Sequence, residues 1–184
     1  MTYYTYSEAQ TLDLDWWAVD VDGKVASFAT SGFARFPGKV TITEYDRLLD
    51  YFKNEAPIIS ETQESPDWRN LYGYIPEEDV TPLMPLEKRL YYFFREMKFM
   101  GERGMYVYDT NSSSNHWSTY FRILIPTNPL LFQNLPEDIQ TILDKIRIPI
   151  SFDKELMVLD EWISERLLPD DTTGPPVISI PGKP

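Results

Sequence analysis

Alternating apolar runs flank Asp22-Gly23 in the stretch from Leu12 to Pro37, and this stretch organises the chain. Trp16–Val21 and Lys24–Thr30 read as paired strands joined at Asp22-Gly23. Asp-Gly between alternating runs suits a type I′ turn, which needs φ > 0 at both central residues. A two-residue turn sets Val21 opposite Lys24, Val19 opposite Ala26 and Trp17 opposite Phe28. Side chains alternate along a strand, so these pairs share one face, while Trp16, Ala18 and Val25 share the other. Both faces carry apolar residues, which predicts a hairpin covered on both sides.

The period then changes to helical. Tyr45, Leu48, Leu49 and Phe52 fall at i, i+3, i+4 and i+7, a single apolar stripe that Thr43 is placed to cap and Pro57 to stop. Leu86–Arg103 is the longest such segment. Leu86, Leu90, Phe93, Phe94, Met97 and Met100 form its stripe, Glu87, Lys88, Arg95, Glu96 and Lys98 its wet face, and Gly101 and Gly104 its stop. A third stripe, Ile139, Ile142, Leu143 and Ile146, predicts a helix over 136–146 with Pro136 in its first turn.

A second strand pair is expected at Met105–Asp109 and Trp117–Pro126, joined by the polar connector Thr110–His116. Ile148–Phe152 reads as an edge strand, given Pro149. Asp153–Leu168 fits both a helix capped by Asp153 and, at Leu156–Asp160, a strand; the stripe of Leu156, Leu159, Ile163 and Leu167 favours the helix. The expected fold is a single α+β domain over 1–184, with an antiparallel sheet built from hairpins and packed against three or four helices. An irregular proline-rich insertion at 57–85 and an extended tail at 169–184 complete it.

Composition narrows the function classes. The chain has 184 residues, 42% of them hydrophobic, with five Trp, twelve Tyr and ten Phe, well beyond what a disordered chain carries. Its 29 acidic and 17 basic residues give a net charge of −12. That charge argues against nucleic acid and anionic membrane as partners, both of which attract basic proteins, and fits a basic protein partner. Having no cysteine, the chain has no disulfides, thiolate chemistry or cysteine-ligated metal. No apolar run approaches the 18 or so residues that span a bilayer, and the first residues lack a signal-peptide pattern, so the expected location is the cytoplasm.

Motifs for chemistry are sparse. The one histidine, His116, sits beside Ser112–Asn115 on a polar connector and lacks the rigid placement of a catalytic triad. No GxSxG, GxGxxG or phosphate-loop pattern occurs, so no catalytic residue and no cofactor is assigned. Asp13, Asp15, Asp20 and Asp22 cluster within ten residues and offer hard oxygen ligands, which is the basis of an alternative reading as a metal-dependent hydrolase. Residues 57–85 concentrate acids around aromatic residues. Trp68, Tyr72, Tyr74, Glu77, Glu78 and Asp79 are the candidate contacts for a basic partner.

The stretch DWWAVDVDGKVASFATSGF, followed by a proline and then by YDRLLDYF, resembles the N-terminal part of a group of small acidic bacterial proteins without assigned chemistry. Their pattern is an Asp-Trp-aromatic-Ala-Val-Asp hairpin, a Thr-x-Gly-Phe loop and a short helix. The resemblance covers residues 15–53, and more loosely GMYVYDTN and YFRILIPTNPLLFQNLPEDIQTIL; Ser31 stands where a second glycine is expected. Such proteins are similar in size and acidity to immunity proteins of bacterial toxin systems. The resemblance therefore implies a non-enzymatic acidic binding module, an immunity-type inhibitor of a basic toxin or nuclease, and transfers no catalytic residue.

Overall fold

A computed structural model describes residues 2–4, 8, 11–30, 39–66, 86–110 and 119–158. One sheet runs through it in the order β1-β2-β4-β5-β3, formed by β1 (Trp16–Val19), β2 (Val25–Ala29), β3 (Thr62–Glu64), β4 (Tyr106–Thr110) and β5 (Thr119–Pro126). A short β6 (Leu156–Val158) pairs with Thr119–Phe121 of β5, beside β3, which pairs with Leu124–Pro126. Three α-helices lie among the described residues: α1 (Ile42–Asp50), α2 (Leu86–Gly101) and α3 (Glu137–Leu143). The α+β class is as expected, but the sheet is mixed. β2 and β4 run parallel, with Ala26 opposite Tyr106 and Phe28 opposite Tyr108. The chain leaves β2, passes through α1 and α2, and returns beside β2, and such a crossover delivers a parallel strand where a tight turn would deliver an antiparallel one.

The hairpin forms with a register one residue away from the expected one. Trp16 faces Phe28, Trp17 faces Ser27, Ala18 faces Ala26 and Val19 faces Val25. The cause lies in the turn. Gly23 takes φ +78°, whereas Asp22 stays out of the left-handed region that a type I′ turn requires of it. The Gly23 N–H bonds the Asp20 carbonyl at 3.2 Å and the Asp20 N–H bonds the Lys24 carbonyl at 3.0 Å. The loop is thus a three-residue connection, Val21-Asp22-Gly23, in which the extra residue slips one strand past the other.

Each face of the sheet has its own cover. Trp17 points toward the helices and stacks on Phe52, with ring centroids 5.2 Å apart, and meets Tyr45 at a tilt with centroids 5.8 Å apart. On the opposite face Trp16 stacks on Phe28 at 4.1 Å, Phe28 on Tyr108 at 5.1 Å, and Tyr120 meets both Trp16 and Phe28 edge-on. Phe152 closes this second cluster against Phe28, Tyr106 and Tyr108. The Trp16 indole N–H donates to the Tyr120 hydroxyl at 3.1 Å, and the Tyr108 hydroxyl reaches the carbonyls of Phe152 and Lys154. The polar ends of Trp16 and Tyr108 therefore find partners inside the core, whereas the buried Trp17 indole N–H has none among the described residues.

The helix ends follow their local chemistry. α1 is capped by Thr41 rather than Thr43. Thr41 Oγ1 accepts the Glu44 N–H while the Glu44 carboxylate accepts the Thr41 N–H, and only Thr41 has a glutamate three residues on to close this box. A π-helical turn, Tyr51–Glu55, continues α1 up to Pro57. α2 ends with bonds from Gly104 N–H to the Gly101 carbonyl and from Met105 N–H to the Met100 carbonyl, with Gly104 at φ +83°. A side chain at Gly104 would press within 2.8 Å of the backbone at Asn128 and Leu130, so that position must stay glycine.

Two further expectations change. Ile148–Phe152 forms no strand; Val19 N–H bonds the Ile146 carbonyl and Ile148 N–H the Val19 carbonyl, so the chain touches the edge of β1 and then turns, leaving Ile148 and Phe152 buried. The helix favoured from Asp153 gives way to β6, because the outer edge of β5 beyond β3 offers unpaired backbone groups that a strand at Leu156–Val158 can satisfy. Residues 159–168, like the tail at 169–184, lie outside the described residues. Among the described residues no helix is long and apolar enough to cross a membrane.

Because Phe28 touches four aromatic rings and is fully buried, Phe28→Ala should destabilise the fold by about 3–5 kcal/mol. Urea unfolding followed by tryptophan fluorescence measures this directly. A cost below about 1 kcal/mol would contradict the packing described for that face.

Candidate functional site

The four hairpin aspartates separate into two pairs at opposite ends of β1. Asp20 and Asp22 lie at the turn. The Asp20 carboxylate, 1% exposed, accepts the backbone N–H groups of Asp22 (2.9 Å) and Lys24 (2.8 Å) on one oxygen and of Phe152 (2.8 Å) on the other. A carboxylate so satisfied has little capacity left for a ligand. Asp22 is exposed and accepts the Ser151 hydroxyl at 2.9 Å.

Lys24 extends the network, with Nζ 2.7 Å from Asp153, 3.7 Å from Asp22 and 5.6 Å from the centre of the Tyr106 ring. Burial pushes the Lys24 ammonium down, but the bond to Asp153 together with the nearby Tyr106, Asp153 and Asp20 outweighs burial and leaves it above its ordinary range. The same bond holds Asp153 below its ordinary range, and the Tyr106 hydroxyl donates to its other oxygen at 3.2 Å. A lysine kept protonated in this way serves as a tether, not as a base. Arg122, itself buried, donates to the carbonyls of Phe152 and Asp153, so residues 151–155 are bound to the sheet from two sides.

Asp13 and Asp15 precede β1. Asp13 adopts φ +49°, a conformation aspartate tolerates, and the Thr30 hydroxyl lies 3.3 Å from its Oδ1 and 3.0 Å from the Leu14 carbonyl. Asp15 is half-buried. Burial first, and then the charge of Asp13, raises its carboxyl to about 6, against the opposing pull of the Thr30 N–H and Lys53. Tyr45 feels the same neighbourhood: burial and then Asp15 raise its phenol. Among the described residues no group of three or more His, Asp or Glu is placed to hold a metal ion. His116 and the candidate contacts Trp68, Tyr72, Tyr74, Glu77, Glu78 and Asp79 lie outside the described residues.

A different surface stands out on the outer side of α1, the π turn and α3. Segments 42–55 and 137–147 carry seven carboxylates (Glu44, Asp46, Asp50, Glu55, Glu137, Asp138, Asp144) against four cations (Arg47, Lys53, Lys145, Arg147). Three of those cations are held in pairs. Arg47 bonds Glu55 at 2.5 Å and Asp138 at 2.7 Å, Arg147 bonds Asp144 at 2.7 Å, and Lys145 bonds Glu44. The pair with Arg47 holds Asp138 below its ordinary range. Beside this surface opens a cleft of about 570 Å³ lined by Tyr51, Pro57, Ile59, Asn128, Leu130, Asn134, Leu135 and Pro136.

No family model, no curated protein and no solved structure matches the chain. The cleft was not legible beforehand. It exists because Ile59 and Ser60 bond the Glu102 carbonyl and Leu130 bonds the Gly104 carbonyl, contacts that join segments far apart in sequence. Its one local signal is the recurrence of proline, at Pro57, Pro129 and Pro136, on either side of it.

The raised Asp15 carboxyl sets a pH dependence whose sign is fixed. The folded value, about 6, exceeds the ordinary 3.8, so the contribution is fully present below about 4 and is lost as pH rises through 6. Asp15→Asn cannot ionise. It should be more stable than the parent by about 1–3 kcal/mol at pH 7.5, with the difference vanishing toward pH 4. Urea midpoints at pH 4.5 and 7.5 check this, and equal midpoints for both proteins at pH 7.5 would refute it.

Proposed function

We propose that this protein is a non-enzymatic acidic binding module whose partner is a basic protein, of the kind an immunity-type inhibitor of a toxin or nuclease would cover. The observation that carries the reading is the surface of α1, the π turn and α3, where carboxylates outnumber cations and most cations are already engaged. The net charge of −12 acts in the same direction. A field of this sign raises encounter rates with a positive surface and repels nucleic acid and other acidic proteins.

The alternative, a metal-dependent hydrolase using Asp13, Asp15, Asp20 and Asp22, asks these carboxylates to act together. β1 stands between the two pairs, and Asp20 is engaged by three backbone donors. The binding reading needs no such convergence. The expected contacts Trp68, Tyr72 and Tyr74 lie outside the described residues. Described aromatics such as Trp16, Trp17, Tyr108 and Tyr120 serve the core, so within the described residues the binding surface is assigned mainly to charge.

The test is kinetic. A basic partner isolated from the native host by cross-linking should associate at a rate that falls severalfold between low and physiological salt, with dissociation little changed. Asp46→Asn, Asp50→Asn and Glu137→Gln together should lower the association rate in low salt, and Glu77→Gln, Glu78→Gln and Asp79→Asn form a second set for the 57–85 segment. A salt-independent association rate, or rates unaltered by both sets, would overturn the proposal.

A further inference from the structure

Arg103 is a buried cation without an ion pair. It follows α2 between Gly101 and Gly104 and is only 8% exposed. No carboxylate pairs with it among the described residues, although acidic residues outnumber basic ones 29 to 17 in the chain. Burial holds its guanidinium below the ordinary arginine range, with the charge of Glu102 opposing.

Carbonyl oxygens take the place of a carboxylate. Nη1 donates to the Phe99 carbonyl at 3.0 Å and Nη2 to the Lys53 carbonyl at 3.4 Å, while the guanidinium lies 3.6 Å from the centre of the Phe99 ring. The Nε–H is enclosed without a partner, which costs stability that the other contacts of the group must offset. Both carbonyls sit near helix ends. Phe99 lies in the last turn of α2 and Lys53 in the π turn. The last carbonyls of a helix have no partner within it and carry the negative end of its dipole, so one guanidinium caps two C-termini.

The π turn has reason to need this cap. Ala56 is extended and closes the turn with its N–H on the Tyr51 carbonyl at 2.8 Å, and Pro57 then brings no N–H at all. A π turn bonds i to i+5 where an α-helix bonds i to i+4, so its register decides where the side chains that follow are placed. Glu55 is its last residue, two beyond Lys53, and it shares Arg47 with Asp138 of α3.

We infer that Arg103 is a positioning residue for the acidic face: by holding the Lys53 carbonyl from inside, it fixes the π turn and with it the place of Glu55 beside Arg47 and Asp138. The assignment rests on the acidic-binding reading and adds to it an internal residue that shapes the surface without touching the partner.

Two variants separate geometry from charge. Arg103→Met keeps an unbranched stem and removes every donor, whereas Arg103→Lys keeps the charge but lacks the fork that reaches two carbonyls. In both, hydrogen exchange of the Ala56 amide should accelerate about tenfold more than that of the Val19 amide, which is bonded to Ile146 across the sheet edge and reports wider opening. Binding of decalysine at low salt supplies the second readout. Glu55→Gln should weaken it about twofold to fivefold in the parent, as one surface charge allows, and should have no further effect in Arg103→Met. Ala56 and Val19 amides accelerating equally, or a Glu55→Gln effect of the same size in both backgrounds, zero included, would overturn the positioning role. If decalysine still binds the parent in those cases, the acidic-binding reading stands without it. If decalysine does not bind the parent at low salt, that reading falls and the positioning role falls with it.

Discussion

A single buried carboxylate fixes how the hairpin, and with it the sheet, is assembled. Asp20 draws the N–H groups of Asp22 and Lys24 onto one oxygen, which makes the turn a three-residue loop and sets the strand register. Its other oxygen takes the N–H of Phe152, more than a hundred residues away. The first interaction puts Trp16 opposite Phe28, and the second brings the Phe152 ring down on the aromatic layer that pair begins. Burying a carboxylate is costly unless all its acceptor capacity is used, and here three donors use most of it. Turn, register and cover are therefore coupled through one side chain.

That coupling explains which parts of the fold were legible in the sequence. The helical stripes of α1 and α3 depend on 3.6-residue periodicity alone, and Tyr45, Leu48, Phe52, Ile139, Ile142 and Leu143 are buried as that periodicity implies. The hairpin was recognisable, but its register was not. Asp-Gly suits a two-residue turn, and only the capping of the turn by Asp20 makes the longer loop better. β6 escaped for a related reason: its pattern fits two periods, and the deciding factor is the free edge of β5, which no local signal announces. The parallel pairing of β2 with β4 is likewise a consequence of where the intervening helices lie.

The candidate site was less legible than the fold, and the aromatics show why. Trp and Tyr serve equally well as core and as contact residues, so their abundance does not say which role they fill. In the described part of the chain Trp16, Trp17, Tyr45, Tyr51, Tyr106, Tyr108 and Tyr120 are buried, and several spend their polar ends on internal hydrogen bonds. Aspartates show the same ambiguity. Asp20 is structural, Asp22 joins a surface network with Ser151, and Asp15 stands half-buried beside Asp13. Proximity in sequence put all four together, and a strand of opposite-facing ends took them apart.

The proposed recognition surface is one that the fold does not use. Ion pairs such as those of Arg47 with Glu55 and Asp138 contribute little to stability when exposed, because water screens them and their side chains must be held still. Their consequence here is different. They hold Arg47, Arg147 and Lys145 against four carboxylates of the α1–α3 face, and with seven carboxylates to four cations that face keeps a net negative charge. The same pairs tie the π turn to α3, since Arg47 reaches both Glu55 and Asp138. One guanidinium bridged in this way fixes Glu55 and Asp138 relative to each other, and on the proposed reading a partner would meet an acidic face whose ordering cost is already partly met.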